Sequence, residues 1–305
     1  MCVMKYVDVG DVRCSRVVIG GMRYAGKPLR QVEEIIIEAL KAGANTFDHA
    51  DIYGKGDSET VFGLAMKDLE IPRDSLVLQT KCGIRDGYYD FSREHILASV
   101  ENSAKRMNTD YLDILLLHRP DTLMEPDEVY EAFDILQSEG KVRAFGVSNF
   151  SPAQIEMLRS AGIRVFANQV QLSLLHSPII DEGLNFNMEN SEGYGRTQGL
   201  LEYCRKNKIT LQAWSPLAYG FMEGVFVGNE KFPALNAELF RLAEKYNVAP
   251  AAIAVAWILR HPARMQAVVG STTPERIAEL CKAADVELTR EEWYSLYRAA
   301  GKRLP

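Results

Sequence analysis

Asn45-Thr46-Phe47-Asp48-His49-Ala50-Asp51-Ile52-Tyr53 is a short apolar run that ends on a carboxylate and passes into a loop delivering a phenol five positions later. Its neighbours make it one beat of a repeat. Upstream, VVIG (17–20) precedes an amphipathic segment, 30–42, in which Ile36 and Leu40 share a face and Gly43 gives the stop. Downstream, LVLQT (76–80) precedes 92–107, where Ile96, Val100, Ala104 and Met107 recur at helical spacing. The beat continues through LDILLL (112–117), VRAFGV (142–147), VFANQV (165–170), TLQAW (210–214) and QAVVG (266–270). With NTF (45–47) this makes eight apolar runs. Ser151-Pro152-Ala153-Gln154 joins an N-cap, a proline at the first helical position and a capping-box glutamine, the start signal of one intervening helix.

Short, continuous apolar strands alternating with helices predict a parallel sheet covered on both faces, and eight is the number at which such a sheet closes. The expected fold is an α/β (β/α)8 TIM barrel. An open doubly wound sheet is the alternative, but its glycine fingerprint is missing, since Gly54-Lys55-Gly56 runs into Asp-Ser-Glu. No Walker-type phosphate loop occurs either. Residues 3–18 predict an N-terminal β-hairpin around Gly10-Asp11, a lid on one end of the barrel. Thr289-Arg290-Glu291-Glu292 is a capping box that opens an extra C-terminal helix. Two connections, 176–197 and 215–235, are long enough to be binding loops. No linker interrupts the beat, so 1–305 is expected to be a single domain.

The net charge of -6 arises from 35 basic and 41 acidic residues interleaved along the chain, without the basic stripe that binding to nucleic acid requires. Cys2, Cys14, Cys82, Cys204 and Cys281 lie far apart with no Cys-x-x-Cys pair, which suggests neither disulfides nor a zinc cluster and fits a reducing cytoplasm. The first residues, MCVMKYVDVG, turn acidic too early for a signal peptide, and no apolar run approaches the ~20 residues that cross a bilayer. A soluble, cytoplasmic protein without a membrane partner is expected.

In such a barrel the chemistry sits at the carboxyl ends of the strands. The residues there are Gly20-Gly21-Met22, Asp48, Lys81, His118, Ser148-Asn149, Gln169, Trp214-Ser215 and Gly270-Ser271. One polar rim results. A lysine aimed into a barrel mouth needs a compensating charge, and Asp48 on the adjacent strand is its natural partner. A nearby ammonium favours the phenolate, so Lys81 is expected to lower the pKa of Tyr53 and make it a general acid toward a carbonyl oxygen. His118, neutral, would direct that oxygen. None of these groups supplies a hydride, so reduction calls for a nicotinamide. Ser148, Asn149 and Gln169 can pair with its carboxamide, Trp214 can stack on its ring, and Thr273-Pro274-Glu275-Arg276 opens a helix suited to phosphate. The strand ends offer no cluster of metal ligands. His49, His95, His176 and His261 read as ordinary surface or capping residues.

NTFDHADIYG with Ser58-Glu59 beyond it, TKCG, DYLDILLLHRPD, GKVRAFGVSNF, NQVQLSLLH, WSPLAYG and VVGSTTPERI together resemble the ordered signatures of the aldo-keto reductase superfamily over about 16–285. The long NFNMEN loop and the HRPD motif are similar to those of the bacterial YdhF-like oxidoreductases. The resemblance implies a catalytic set of Asp48, Tyr53, Lys81 and His118. It implies NADP(H) bound in extended form by Met22, Asp48, Ser148, Asn149, Gln169, Trp214, Ser215, Pro216, Leu217, Gly270, Ser271, Thr272, Arg276 and Glu279. Many relatives have lysine and asparagine where this chain has Gly270 and Leu280, while Arg276 still favours NADPH. The implied activity is reduction of small-molecule aldehydes or ketones by a monomer. Tyr24, Tyr53, Tyr88 and His118 are the expected substrate contacts, suited to apolar carbonyl compounds. The superfamily also holds regulatory and channel-associated subunits, which is the rival expectation.

Overall fold

A computed structural model describes residues 4–191 and 195–304, so Cys2 and part of the 176–197 loop lie outside the described residues. Eight parallel strands close into a barrel, each paired with its neighbours along the chain and the last with the first. They are β3 (Val17–Gly20), β4 (Thr46–Asp48), β5 (Val77–Cys82), β6 (Leu112–Leu117), β7 (Val142–Ser148), β8 (Ala167–Gln171), β9 (Thr210–Trp214) and β12 (Gln266–Val269). These are the eight expected runs, with ends moved by a residue or two. Asp48, Lys81, Ser148, Gln169 and Trp214 lie inside the strands, so the sheet ladder fixes their backbones.

The helices α1 (Leu29–Lys41), α2 (Asp57–Asp68), α3 (Arg93–Arg106), α4 (Pro126–Ser138) and α5 (Pro152–Ser160) follow the first five barrel strands in turn. The Ser151 capping box forms as expected. The two long connections are not bare loops. The first contains α6 (Pro178–Leu184) before α7 (Leu200–Lys206), and the second contains a small hairpin, β10 (Ala218–Tyr219) with β11 (Gly224–Val225), before α8 (Pro233–Tyr246). Then come α9 (Pro250–Leu259), α10 (Pro274–Cys281) after β12, and α11 (Arg290–Ala299). The extra helix α11 starts at the Thr289–Glu292 capping box. It is held to α9 by two stacked indoles, Trp257 and Trp293, 4.9 Å apart, each donating its N–H to the other's backbone carbonyl.

The N-terminal hairpin, β1 (Tyr6–Val9) with β2 (Val12–Ser15), stoppers the barrel. Val9, Val12 and Cys14 pack on Val77, Ile114, Leu116, Ala144 and Ala167, a cluster separate from the larger core between strands and helices. The filling is tight there: a Cβ on Gly146 would stand 2.6 Å from the Leu116 side chain and 2.7 Å from the Ala167 carbonyl. Interiors this dense resist added volume.

Candidate active site

The turn after β4 delivers Tyr53. Its amide and that of Asp51 bond to the carbonyls of Ala50 and Lys81, and Gly54, Lys55 and Gly56 all adopt left-handed φ. Two glycines in such a run make the turn affordable. They explain a Gly-x-Gly that is no nucleotide fingerprint. Glu59, at the start of α2, clamps the turn from behind. Its buried carboxylate accepts from Thr80 at 2.5 Å and from Arg106 at 2.7 Å.

Asp48, Tyr53 and Lys81 meet as expected. The Lys81 ammonium, 1 % exposed, donates to Asp48 Oδ2 at 2.7 Å, to the His49 carbonyl at 2.7 Å and to the Tyr53 hydroxyl at 3.3 Å. His118 stands edge-on to the Tyr53 ring at 5.9 Å. Burial works against the Lys81 charge, but Asp48 and Tyr53 outweigh it and hold the ammonium above its ordinary pKa. Burial, with the positive Lys81 and Arg119 beside it, drives His118 well below the ordinary imidazole value, so the ring is neutral. Its Nδ1 is buried without a partner.

One electrostatic expectation is reversed. Burial raises the Tyr53 hydroxyl above the ordinary phenol value, and the downward pull of Lys81 does not overcome it. The phenol therefore keeps its proton through neutral pH.

Asp48 is held by buried glutamines, of which only Gln169 was expected at the site. Its Oδ1 accepts from Gln79 at 2.5 Å and Gln169 at 3.0 Å. Both amides also donate to Gln212 Oε1, and Gln212 in turn donates to Gln79 and Gln266, whose own amide reaches the Ser15 carbonyl. Every one of these side chains is buried. Within a strand each glutamine looks like an interruption of an apolar run; the missing signal is that they recur at facing positions, Gln79 opposite Asp48, Gln212 opposite both Gln169 and Gln266.

The remaining rim residues gather nearby. Ser148 donates to the Gln169 carbonyl, Asn149 Nδ2 donates to Ser148, and the half-buried Trp214 donates its indole N–H to Asn149 Oδ1 at 3.0 Å. Asn149 and Ser215 both have positive φ, sharp corners that swing the chain away from β7 and β9. Pro216 is buried and Leu217 half-buried beyond Ser215. On the next rim turn Gly270 is exposed with open space around its Cα, and the Ser271 hydroxyl accepts from the Thr273 amide. Thr272 is tied to α1 through Gln31, Arg276 is exposed in the first turn of α10, and Glu279 pairs with Lys282. Leu280 is buried. Met22 is exposed at the first rim turn, and Tyr88 is exposed in the loop after β5.

Two expectations are corrected. Tyr24 does not line a cavity: it is fully buried, stacked 6.4 Å from Phe62, because the turn after β3 folds it under α2. His49 is no surface histidine. Its ring is completely buried against Gly21, where a Cβ would come within 2.4 Å, and lies 4.5 Å from Phe62. His261 fits the capping expectation, accepting from the Ala263 amide. His95 bonds Arg85 and Ser99, and His176 sits in a turn with Ser173.

Among the described residues no helix is long and apolar enough to cross a membrane. A sequence profile of the Aldo/keto reductase family matches residues 16–300. The chain is 35% identical to oxidoreductase YdhF of Escherichia coli over 94% of this chain and 93% of that one. It is 36% identical to 6-dehydroglucose reductase of Agrobacterium fabrum, covering 97% and 98%. Among solved structures it resembles a thermostable aldo-keto reductase, Tm1743, crystallised with the inhibitor epalrestat. That match has a TM-score of 0.76 and 27% identity over 97% of this chain and 100% of that one.

Proposed function

The chain belongs to the aldo/keto reductase family, and from that premise we propose that it is an NADPH-dependent reductase of aldehydes or ketones in which Tyr53 protonates the carbonyl oxygen. The observation that carries this reading is the buried Lys81 ammonium shared between the Asp48 carboxylate and the Tyr53 hydroxyl. A phenol that keeps its proton at neutral pH has that proton to give. Once the proton has left, the ammonium 3.3 Å away stabilises the phenolate. Asp48, with two amide donors and the ammonium on it, keeps Lys81 in place. The neutral His118 donates a ring N–H to the substrate oxygen and aims it at Tyr53.

A bound nicotinamide supplies the hydride, which no side chain here can. The rim residues fit one. Gln169 has both amide hydrogens committed to Asp48 and Gln212, which leaves Oε1 as the acceptor for a carboxamide N–H. Trp214, pinned by Asn149, offers a flat indole face for a ring to lie on. Ser215, Pro216 and Leu217 lead from there toward Gly270, Ser271 and Thr272. The amino end of α10 with Arg276 suits the phosphates, including the one that distinguishes NADPH. A relative bears the name 6-dehydroglucose reductase, which supports including oxidised sugars among the carbonyl compounds tried.

The test is NADPH oxidation with a panel of aldehydes and ketones. Tyr53→Phe is expected to lower kcat by about 10²- to 10⁴-fold while NADPH still binds, read by its fluorescence. Cofactor binding without oxidation on any carbonyl overturns the reading and favours a regulatory subunit.

A further inference from the structure

Arg119 follows His118 and precedes Pro120, and a residue before proline is held extended. Its guanidinium lies 5.7 Å from the centre of the Trp214 ring, on the rim that also carries Asn149. It is close enough to Tyr53 and His118 for its charge to act on both. Among the described residues it has no carboxylate within ion-pairing distance, unlike Lys81, whose ammonium in the same mouth rests on Asp48.

The charge balance of the mouth then has one open account. Lys81 is neutralised by Asp48, Tyr53 keeps its proton and His118 is neutral, so Arg119 is left as an unmatched cation beside the reacting groups. The wall next to it is apolar, with Phe221 edge-on to Trp214 at 6.2 Å and Met222 exposed beside it. An arginine fork matches the two oxygens of a planar acid group and, stacked on an aromatic ring, loses little freedom in binding one.

We propose that the substrate is a carbonyl compound bearing an acidic group, a carboxylate or a phosphate, which Arg119 binds while the carbonyl oxygen lies against Tyr53 and His118. The proposal rests on the reductase reading of the same site. It narrows the apolar cavity expected from the sequence to one that is apolar along its wall and cationic at one end.

The experiment compares matched aldehydes that differ only in the charge, 4-formylbenzoate with its methyl ester and 4-oxobutanoate with its methyl ester, as kcat/KM with saturating NADPH. In the unaltered protein the acid is expected to exceed its ester by about tenfold or more, mainly through KM. In Arg119→Leu that ratio falls to near one, and in Arg119→Lys it is partly retained. Benzoate quenching of tryptophan fluorescence in the NADP complex gives a readout without turnover, and its affinity is expected to weaken by about tenfold in Arg119→Leu. Equal kcat/KM for acid and ester in the unaltered protein overturns the proposal and leaves the reductase reading standing, as does a ratio that Arg119→Leu does not change. No oxidation of NADPH with either member of either pair, nor with any other carbonyl, overturns both.

Discussion

The interior of this one barrel is filled in two ways. The part stoppered by the hairpin holds Val9, Val12, Cys14, Val77, Ile114, Leu116, Ala144 and Ala167, hydrocarbon and one thiol in close contact. The part that opens to the rim holds Asp48, Gln79, Lys81, Gln169 and Gln212, bonded to one another in an unbroken chain. Apolar packing is non-directional and degrades gradually when a group is removed. A buried polar chain is cooperative, and removing one member strands the others. The first filling thus serves stability and the second also holds a geometry.

The largest blow to that contrast is Lys81→Met. It leaves the Asp48 carboxylate buried with amide donors but no countercharge, where breaking a buried pair costs about 3–5 kcal/mol. Reductase activity is expected to vanish with it. Urea unfolding and steady-state assay check both, and a variant as stable as the original would mean that the polar filling contributes no more than its volume.

A matched pair then separates the two fillings at similar cost. Leu116→Ala opens a cavity in the hairpin-capped part and is expected to cost about 3 kcal/mol. Gln212→Leu strands one amide hydrogen each on Gln79 and Gln169 and the amide oxygens of Gln79 and Gln266, about 4 kcal/mol at the low end of the 1–3 kcal/mol per stranded group. Their kinetics should diverge: kcat holds within about threefold for Leu116→Ala but falls about tenfold or more for Gln212→Leu, because Asp48 loses its fixed position. Equal losses of kcat would erase the distinction.

His49 sharpens the contrast from the far side of β4, where a polar ring has been buried with no chain to satisfy it. Burial takes the imidazole from 6.5 down to about 4, the nearby Glu59 and Asp48 notwithstanding. The unfolded chain therefore binds a proton before the folded one does. Stability is full above about pH 6.5 and drains as pH falls toward 4, by roughly 3 kcal/mol in all. The difference in unfolding free energy between this protein and His49→Leu, followed from pH 7.5 to 4, isolates that loss from the carboxylates common to both.

These residues mark where the sequence could be read and where it could not. Eight apolar runs and their spacing revealed the barrel because continuous burial on both faces leaves a pattern in one dimension. Asp48, Lys81 and His118 were legible for a related reason, since charged or polar groups at strand ends break that pattern where a barrel has its mouth, and Tyr53 followed in the turn after Asp48. Gln79, Gln212 and Gln266 were not, because whether a strand residue faces inward depends on how far neighbouring strands are staggered, and the stagger is a property of the closed sheet. Tyr24 and His49 were misplaced because aromatic and polar residues in a turn are on the surface unless another element covers them. Here α2 does, through Phe62. The raised Tyr53 pKa escaped for the same cause: the ammonium could be inferred from sequence, the depth of burial could not.

The smallest effect is expected at the rim, where neither filling is disturbed. Gly270 is exposed, its φ is not in the left-handed region, and a Cβ there meets nothing within 4 Å, so a side chain can be added without strain. Gly270→Lys should leave the unfolding curve within about 0.5 kcal/mol of the original. It should tighten NADPH by about tenfold, the worth of one added charge-assisted contact to phosphate, and NADH hardly at all. Fluorescence titration of both cofactors at two salt concentrations checks the difference, since a contact to phosphate weakens as salt rises while stacking on Trp214 does not. A tightening shared equally by NADH would place the new ammonium away from the distinguishing phosphate and would move the proposed path of the cofactor off the amino end of α10.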